Sequence, residues 1–183
     1  MTVATALALM IAIAPPGKEA RPKPQPVQQS IAARPDRKQT VSRYILIRHC
    51  EKAGGETDPG LTARGQERAQ ALVGALEQEK VDAIYSTPYK RTQATVKPLA
   101  AAHRLNISII EGTNDKAFAK RLLSDHKGQS VVIASHINVI PDLVKLLGVQ
   151  EKVTLDEGAY GDMFIVDIDA KGRSRLTRAR FGE

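Results

Sequence analysis

Short aliphatic runs alternate along this chain with longer stretches whose apolar positions recur every three or four residues, so strands and helices are predicted in turn. The first run, residues 44–47, is preceded by Val41 and ends in the polar cluster Arg48-His49-Cys50-Glu51. It predicts a buried strand with polar groups at its C-terminal end. A loop rich in Gly, Asp and Pro follows as far as Gly60. Thr62 then caps a predicted helix running to about Gln78, with Ala69, Leu72, Val73 and Leu76 on its apolar stripe. Residues 81–85 predict a second strand. Ser86-Thr87-Pro88 begins a second helix, since proline at a first helical position gives up no hydrogen bond. That helix extends through Thr92, Val96 and Leu99 to about Ala102, with a kink or break expected at Pro98.

The same alternation continues to the end of the chain. Residues 106–110 predict a third strand, and 116–126 a helix stopped by Gly128. Residues 130–134 form the most strongly apolar strand and run into Ser135-His136. A helix over 140–147 is closed by Gly148. Residues 163–168 and 176–180 then pair across the Ala170-Lys171-Gly172 turn. Strands alternating with helices predict an α/β class: a three-layer α/β/α sandwich with a mostly parallel central sheet and an antiparallel edge.

The first forty residues do not join this pattern. Residues 3–14 are almost uninterruptedly apolar, a length that suits a signal-peptide core and falls short of a membrane-spanning helix. No Lys or Arg precedes the run, and Pro15 and Pro16 follow it directly, so export to a secreted or periplasmic site and retention in the cytoplasm both stay open. Pro15, Pro16, Pro22, Pro24, Pro26 and Pro35 oppose helix and central strand alike, and predict a disordered linker. The expected organisation is a leader and linker over 1–40 and one domain over 41–183.

Composition narrows the chemistry. Aromatic residues make up 4% of the chain, with no Trp, so the core must be built from Val, Ile, Leu and Ala. The formal charge is +7. Residues 1–40 hold six bases against two acids, which leaves the predicted domain a surplus of only three. No arginine-rich helix and no basic stripe with interleaved aromatics occurs, so no nucleic-acid partner is expected; a small anionic substrate fits the mild positive balance. Cys50 is the single cysteine, which excludes an intramolecular disulfide and a four-cysteine zinc site. No heptad run indicates an oligomeric state.

Open α/β sheets bind ligands beyond the C-terminal ends of their strands. Arg48-His49 follows the first predicted strand, Glu111 the third and Ser135-His136 the central one, while Arg91 lies one turn into the helix after the second. Such a set suits phosphoryl transfer. A neutral imidazole is a competent nucleophile, and arginine forks match the charged phosphoryl oxygens. His103 and His126, near helix ends, read as surface residues. Two histidines with Glu111 could instead bind zinc or iron, but a guanidinium beside His49 would repel a divalent cation, so no metal is expected. Cys50 has no partner pattern that would mark it as a nucleophile.

These residues resemble the histidine phosphatases, the phosphoglycerate mutase-like superfamily, in its compact branch. Tyr44 to Lys52 resembles the opening strand with its Arg-His signature. Gly60-Leu61-Thr62 with Gly65, Arg68, Ala69 and Leu72 is similar to the following helix start. The segment from Ala83 to Thr95 resembles the one bearing the second arginine, and Val132 to His136, continuing to Asn138, Ile140 and Pro141, the one bearing the second histidine.

The resemblance implies a phosphomonoester hydrolase. His49 would become a transient phosphohistidine, and Arg48, Arg91 and His136 would bind the phosphoryl group. Glu111 would donate the proton, with Asp115 in reserve. It implies no cofactor and no metal, and either a small phosphorylated metabolite or a phosphohistidine protein as substrate. A phosphomutase of the same family and a non-catalytic phosphate-binding or interaction domain are the alternatives. The short chain offers little material for the long closing elements that a mutase needs to keep water from its intermediate.

Overall fold

The computed structural model describes residues 41–110 and 115–182. The predicted leader and linker, and Glu111, lie outside the described residues. In chain order the elements are β1 (Ser42–Arg48), α1 (Ala63–Ala75), β2 (Ala83–Ser86), α2 (Lys90–His103), β3 (Ile107–Ile109), α3 (Asp115–Asp125), β4 (Ser130–Ser135), α4 (Ile140–Leu146), β5 (Asp162–Ile168) and β6 (Ser174–Arg180).

The six strands form one sheet in the order β3-β2-β4-β1-β5-β6. The first four of these are mutually parallel; β5 and β6 run antiparallel along one edge. Alternate side chains of the central strands enter two separate cores. Ile45, Ile47, Val132 and Ala134 pack with Leu72, Leu76, Val96 and Leu99 from α1 and α2. Tyr44, Leu46, Val131 and Ile133 pack with Phe118, Leu122, Leu143 and Val144 from α3 and α4. The result is the expected three-layer sandwich, buried on both faces, which is why its inner strands read as continuous aliphatic runs.

Strand order and helix placement are linked. The chain steps from β1 over β4 to β2 and then β3 with α1 and α2 on one face, then reverses direction to β4 with α3 on the other. Right-handed crossovers require that change of face when the direction of travel reverses. β1 and β4 are therefore neighbours whose chains leave toward opposite helical layers. Such a switch point opens a crevice at the C-terminal strand ends.

Boundaries differ from the pattern-based expectation in instructive places. Thr62 caps α1 as expected, its hydroxyl accepting from the Gly65 N–H at 3.0 Å. That helix stops at Ala75, short of Gln78, and the chain turns so that Glu79 becomes buried. α2 begins at Lys90, two residues beyond Pro88, and passes through Pro98 without breaking. His126, expected at the surface, is half-buried, with its ring between the Tyr85 hydroxyl (2.9 Å) and the Gln129 amide oxygen (2.6 Å).

At the end of the sheet opposite the crevice, Arg43 on β1 joins two acids. Its guanidinium donates to Glu79 at 2.7 Å and to both oxygens of Asp167 at 2.7 and 2.9 Å, and the Ser130 hydroxyl donates to Glu79 at 2.6 Å. These hydrogen bonds and charges outweigh burial and raise the pKa of Arg43 further above its already high value. Removing one member of a buried ion pair strands the others. Arg43→Ala is expected to cost about 3–5 kcal/mol of stability, read as a lower urea midpoint with the spectrum of the folded state retained.

Candidate active site

His49 follows β1 directly and is 5% exposed. Its backbone N–H donates to the carbonyl of Ser135 at 3.0 Å, continuing the β1–β4 ladder by one residue. The ring Nδ1 lies 2.8 Å from the Cys50 carbonyl oxygen. A carbonyl only accepts, so Nδ1 carries the proton and Nε2 keeps its lone pair. Burial, assisted by the charges of Arg48, Arg91 and Lys52 and opposed by the Cys50 bond, lowers the pKa of His49 to about 4. The ring is neutral throughout the physiological range.

His136 follows β4, its ring centroid 5.5 Å from that of His49. Its Nε2 sits 3.0 Å from the Thr87 hydroxyl, just past β2. Thr87 in turn meets the Thr92 hydroxyl at 2.7 Å, and Thr92 donates to the carbonyls of Tyr89 and Thr87. When the Thr92 proton goes to a carbonyl, Thr87 donates to Thr92 and accepts from the Nε2–H of His136. Burial, then Arg91, His49 and Arg48, lowers the His136 pKa to about 4 as well.

Two arginines border the histidines. Arg48 ends β1 and is 8% exposed; its Nη1 donates to the carbonyls of Glu157 (2.6 Å), Asp156 (3.2 Å) and Ala159 (3.3 Å). Because β5 runs antiparallel to β1, the segment leading into β5 arrives at the C-terminal end of β1, which is how these distant carbonyls reach Arg48. Arg91 lies in the first turn of α2, and its Nη1 stands 3.5 Å from Asp58. The Nε of each arginine is buried and has no hydrogen-bond partner among the described residues. Each guanidinium lies over a tyrosine ring, Arg48 over Tyr160 and Arg91 over Tyr89, both at 4.3 Å from the centroid.

A supporting frame fixes these groups. The fully buried Thr95 hydroxyl accepts from the Cys50 N–H at 2.9 Å and donates to the Arg91 carbonyl at 2.8 Å, tying the loop after β1 to the first turn of α2. Glu51 is held by Arg68 at 2.9–3.0 Å, while Arg68 also donates to the carbonyls of Phe181 (3.1 Å) and Gly182. Gly65 must lack a side chain, because a Cβ there would collide with the Glu51 carbonyl. α2 has no side-chain cap of its own. Asp58, from the loop before α1, supplies one by accepting from the Lys90 N–H at 3.1 and 3.2 Å.

Four of the residues expected from sequence, Arg48, His49, Arg91 and His136, thus meet at one end of the sheet. Asp115 opens α3, and burial together with the nearby Asp142 raises its carboxyl pKa. Cys50 is 1% exposed, and burial pushes its thiol up to about 12, so it has no thiolate character at neutral pH. Among the described residues no three His, Cys, Asp or Glu side chains group as metal ligands. Sequence reasoning missed Tyr89, Tyr160, Asp58 and the threonine relay. Asp58 could have been suspected as an acid in the loop beside the pocket. Tyr160 carries no local signal, since only the antiparallel return of β5 brings it to Arg48.

Residues 44–118 match the family model of the histidine phosphatase superfamily, branch 1. Phosphoserine phosphatase 1 of Hydrogenobacter thermophilus is 38% identical over 72 residues, 36% of this chain and 34% of that enzyme. The match therefore spans about a third of the relative's length.

Solved structures extend the likeness to nearly the whole described domain. The protein histidine phosphatase SixA, solved with tungstate, superposes with a TM-score of 0.62 at 16% identity, covering 75% of this chain and 96% of that one. Mycobacterial glucosyl-3-phosphoglycerate phosphatase gives 0.61 at 15% identity, covering 74% and 97%. Phosphoserine phosphatase of Entamoeba histolytica, with 3-phosphoglyceric acid, gives 0.56 at 22%, covering 77% and 96%. At these identities the structures speak for the fold alone. Over residues 44–118, from β1 into α3, the chain is similar to the histidine phosphatase superfamily, branch 1, and its fold is that of the solved phosphatases named above.

Proposed function

We propose that this protein is a metal-independent phosphomonoester hydrolase that works through a covalent phosphohistidine on His49. The observation that carries the reading is the pairing of two neutral histidine rings, 5.5 Å apart, with two arginines whose buried Nε–H groups are uncommitted. An oxyanion would meet those N–H groups, and a phosphoryl group has the oxygens to do so.

In the first step the Nε2 lone pair of His49 attacks phosphorus and the bond from phosphorus to the ester oxygen breaks. The Nδ1–H bond to the Cys50 carbonyl stabilises the positive charge that the ring acquires. Arg48 and Arg91 hold the equatorial oxygens through the transition state. Burial first, and cationic neighbours second, keep His136 neutral; a phosphate dianion offsets the neighbours' charge, favours the doubly protonated ring and makes it a further donor. The leaving oxygen takes a proton from a carboxyl group. Glu111 is the first candidate from sequence and Asp115, whose carboxyl pKa is raised by burial and by Asp142, is the reserve. Water then attacks the phosphohistidine, returning a proton to that carboxylate and releasing phosphate.

The substrates named for the relatives, phosphoserine phosphatase among the enzymes and a protein histidine phosphatase among the structures, support two substrate classes for this chain: a small phosphorylated metabolite or a phosphohistidine protein. A panel of both, assayed by phosphate release, separates them.

Three outcomes are expected. Turnover of p-nitrophenyl phosphate should survive EDTA and fall at least about 1,000-fold in His49→Ala, and acid quench of a labelled substrate should leave the label on His49. Activity unchanged by that substitution would exclude the nucleophile. The proton donor is identified by leaving group: the variant that removes it, Asp115→Asn or Glu111→Gln, should lose alkyl phosphate turnover and keep most of its activity on the aryl ester, whose oxygen leaves without help.

The third concerns pH. Both histidines have folded pKa values depressed from 6.5 to about 4, so the unfolded chain binds more protons between those limits. Their contribution to stability is complete above about pH 6.5 and is lost as pH falls toward 4. The urea midpoint should decline over that window in the wild type, and less steeply in the His49→Ala/His136→Ala double variant.

A further inference from the structure

Four arginines of the domain are buried or half-buried, and they differ in what holds them. Arg43 and Arg68 sit against carboxylates at 2.7 and 2.9 Å, and both tie structural elements together. Arg48 and Arg91 lie instead over tyrosine faces at 4.3 Å. Each of those rings also meets a histidine of the pocket: Tyr160 approaches His49 with centroids 6.2 Å apart, and Tyr89 meets His136 edge-on at 5.1 Å. The chain has four tyrosines in all, so half of them stand at this one place. Among the described residues the other arginine–ring approaches lie at 5.4 Å or more and involve exposed arginines.

We propose that Tyr160 and Tyr89 are positioning residues that fix Arg48 and Arg91 by their ring faces, holding each guanidinium in place without neutralising it. The proposal rests on the phosphate-binding role given above to those arginines. A close carboxylate partner would anchor an arginine equally well. It would also cancel the charge that an incoming phosphate needs and compete for the same N–H groups. A ring face attracts the cation through its quadrupole, by about 0.5–2 kcal/mol, and brings no negative charge and no carboxylate oxygen to compete for the guanidinium N–H groups.

The remaining contacts of the two arginines fit this division. The Nη1 of Arg48 is steadied by three uncharged carbonyls in the stretch that ends at Tyr160, so ring and carbonyls belong to one loop. For Arg91 the carboxylate within reach, Asp58, stands off at 3.5 Å and is engaged by the Lys90 N–H. In both cases the Nε edge is left without a partner among the described residues.

The test uses the full chain, inorganic phosphate as the probe, and the variants Tyr89→Phe, Tyr89→Leu, Tyr160→Phe and Tyr160→Leu. Phosphate affinity is measured by isothermal titration calorimetry, kcat and KM with an aryl phosphate, and Tm by thermal melt. Side-chain resonances of Arg48 and Arg91 in the phosphate-free protein give a readout independent of catalysis, because protons over a ring face move upfield.

The Phe variants should stay within about twofold of wild type, while the Leu variants should bind phosphate about tenfold more weakly, with kcat/KM falling in step and Tm nearly unchanged. The upfield shift of the matched arginine should vanish only with Leu. Phosphate binding unaffected by Leu, an equal loss with Phe and Leu, or arginine signals unshifted in the wild type would each overturn the tyrosine role. Of these, unaffected Leu variants in a protein that binds phosphate and needs His49 would leave the phosphatase reading standing. Failure of the wild type to bind phosphate at all would remove both.

Discussion

The adjacency of β1 and β4, with their chains leaving toward opposite helical layers, is the constraint from which the site follows. Parallel strands in register place Arg48 beside Ser135 and carry His49 and His136 past the sheet together. Because one chain turns toward α1 and the other toward α4, neither connection covers the gap between the two rings. The antiparallel β5 brings its own lead-in to the same end and closes the third side around Arg48. No single segment builds the pocket. It exists because four strands agree in register.

Concentrating cationic groups in a buried place is unfavourable unless something offsets it. Here the offset is distributed. Arg48 leans on carbonyl dipoles, the two histidines give up their protons, and Thr95 and the threonine relay consume the N–H and O–H groups that would otherwise compete for a ligand. Where close carboxylate pairing occurs, at Arg43 and Arg68, it ties separate elements together and serves cohesion. The fold thus separates arginines that hold the protein together from arginines that remain available.

Much of this was legible in the sequence, for identifiable reasons. The inner strands are buried on both faces, so they appear as unbroken aliphatic runs, and their polar terminators Arg48-His49 and Ser135-His136 stand out against them. The Thr62 cap is a local signal and was read correctly. What escaped depends on residues far apart in the chain. α2 starts at Lys90 because Asp58, on another loop, caps it. α1 ends early, and the chain turns to deliver Glu79 to Arg43 on a different element. α2 runs through Pro98 with Val96, Leu99 and Ala100 packed against the sheet, burial that local propensity does not contain. From sequence His126 reads as a surface residue, because nothing near it in the chain announces Tyr85. Tyr160 belongs to the same class, visible only once β5 is known to return antiparallel.

Arg68 has a consequence that reaches the far end of the domain. One side of its guanidinium grips Glu51, two residues past His49, and the other grips the carbonyls of Phe181 and Gly182. Gly161, in a left-handed conformation with φ of +90°, lies against that junction and accepts the Phe181 N–H through its own carbonyl. Residues at the exit of β6 are in this way mechanical neighbours of the loop that follows His49. Loosening them would free Arg68 on one side, slacken its hold on Glu51 and so unsettle the turn after His49, at a distance that no direct contact spans.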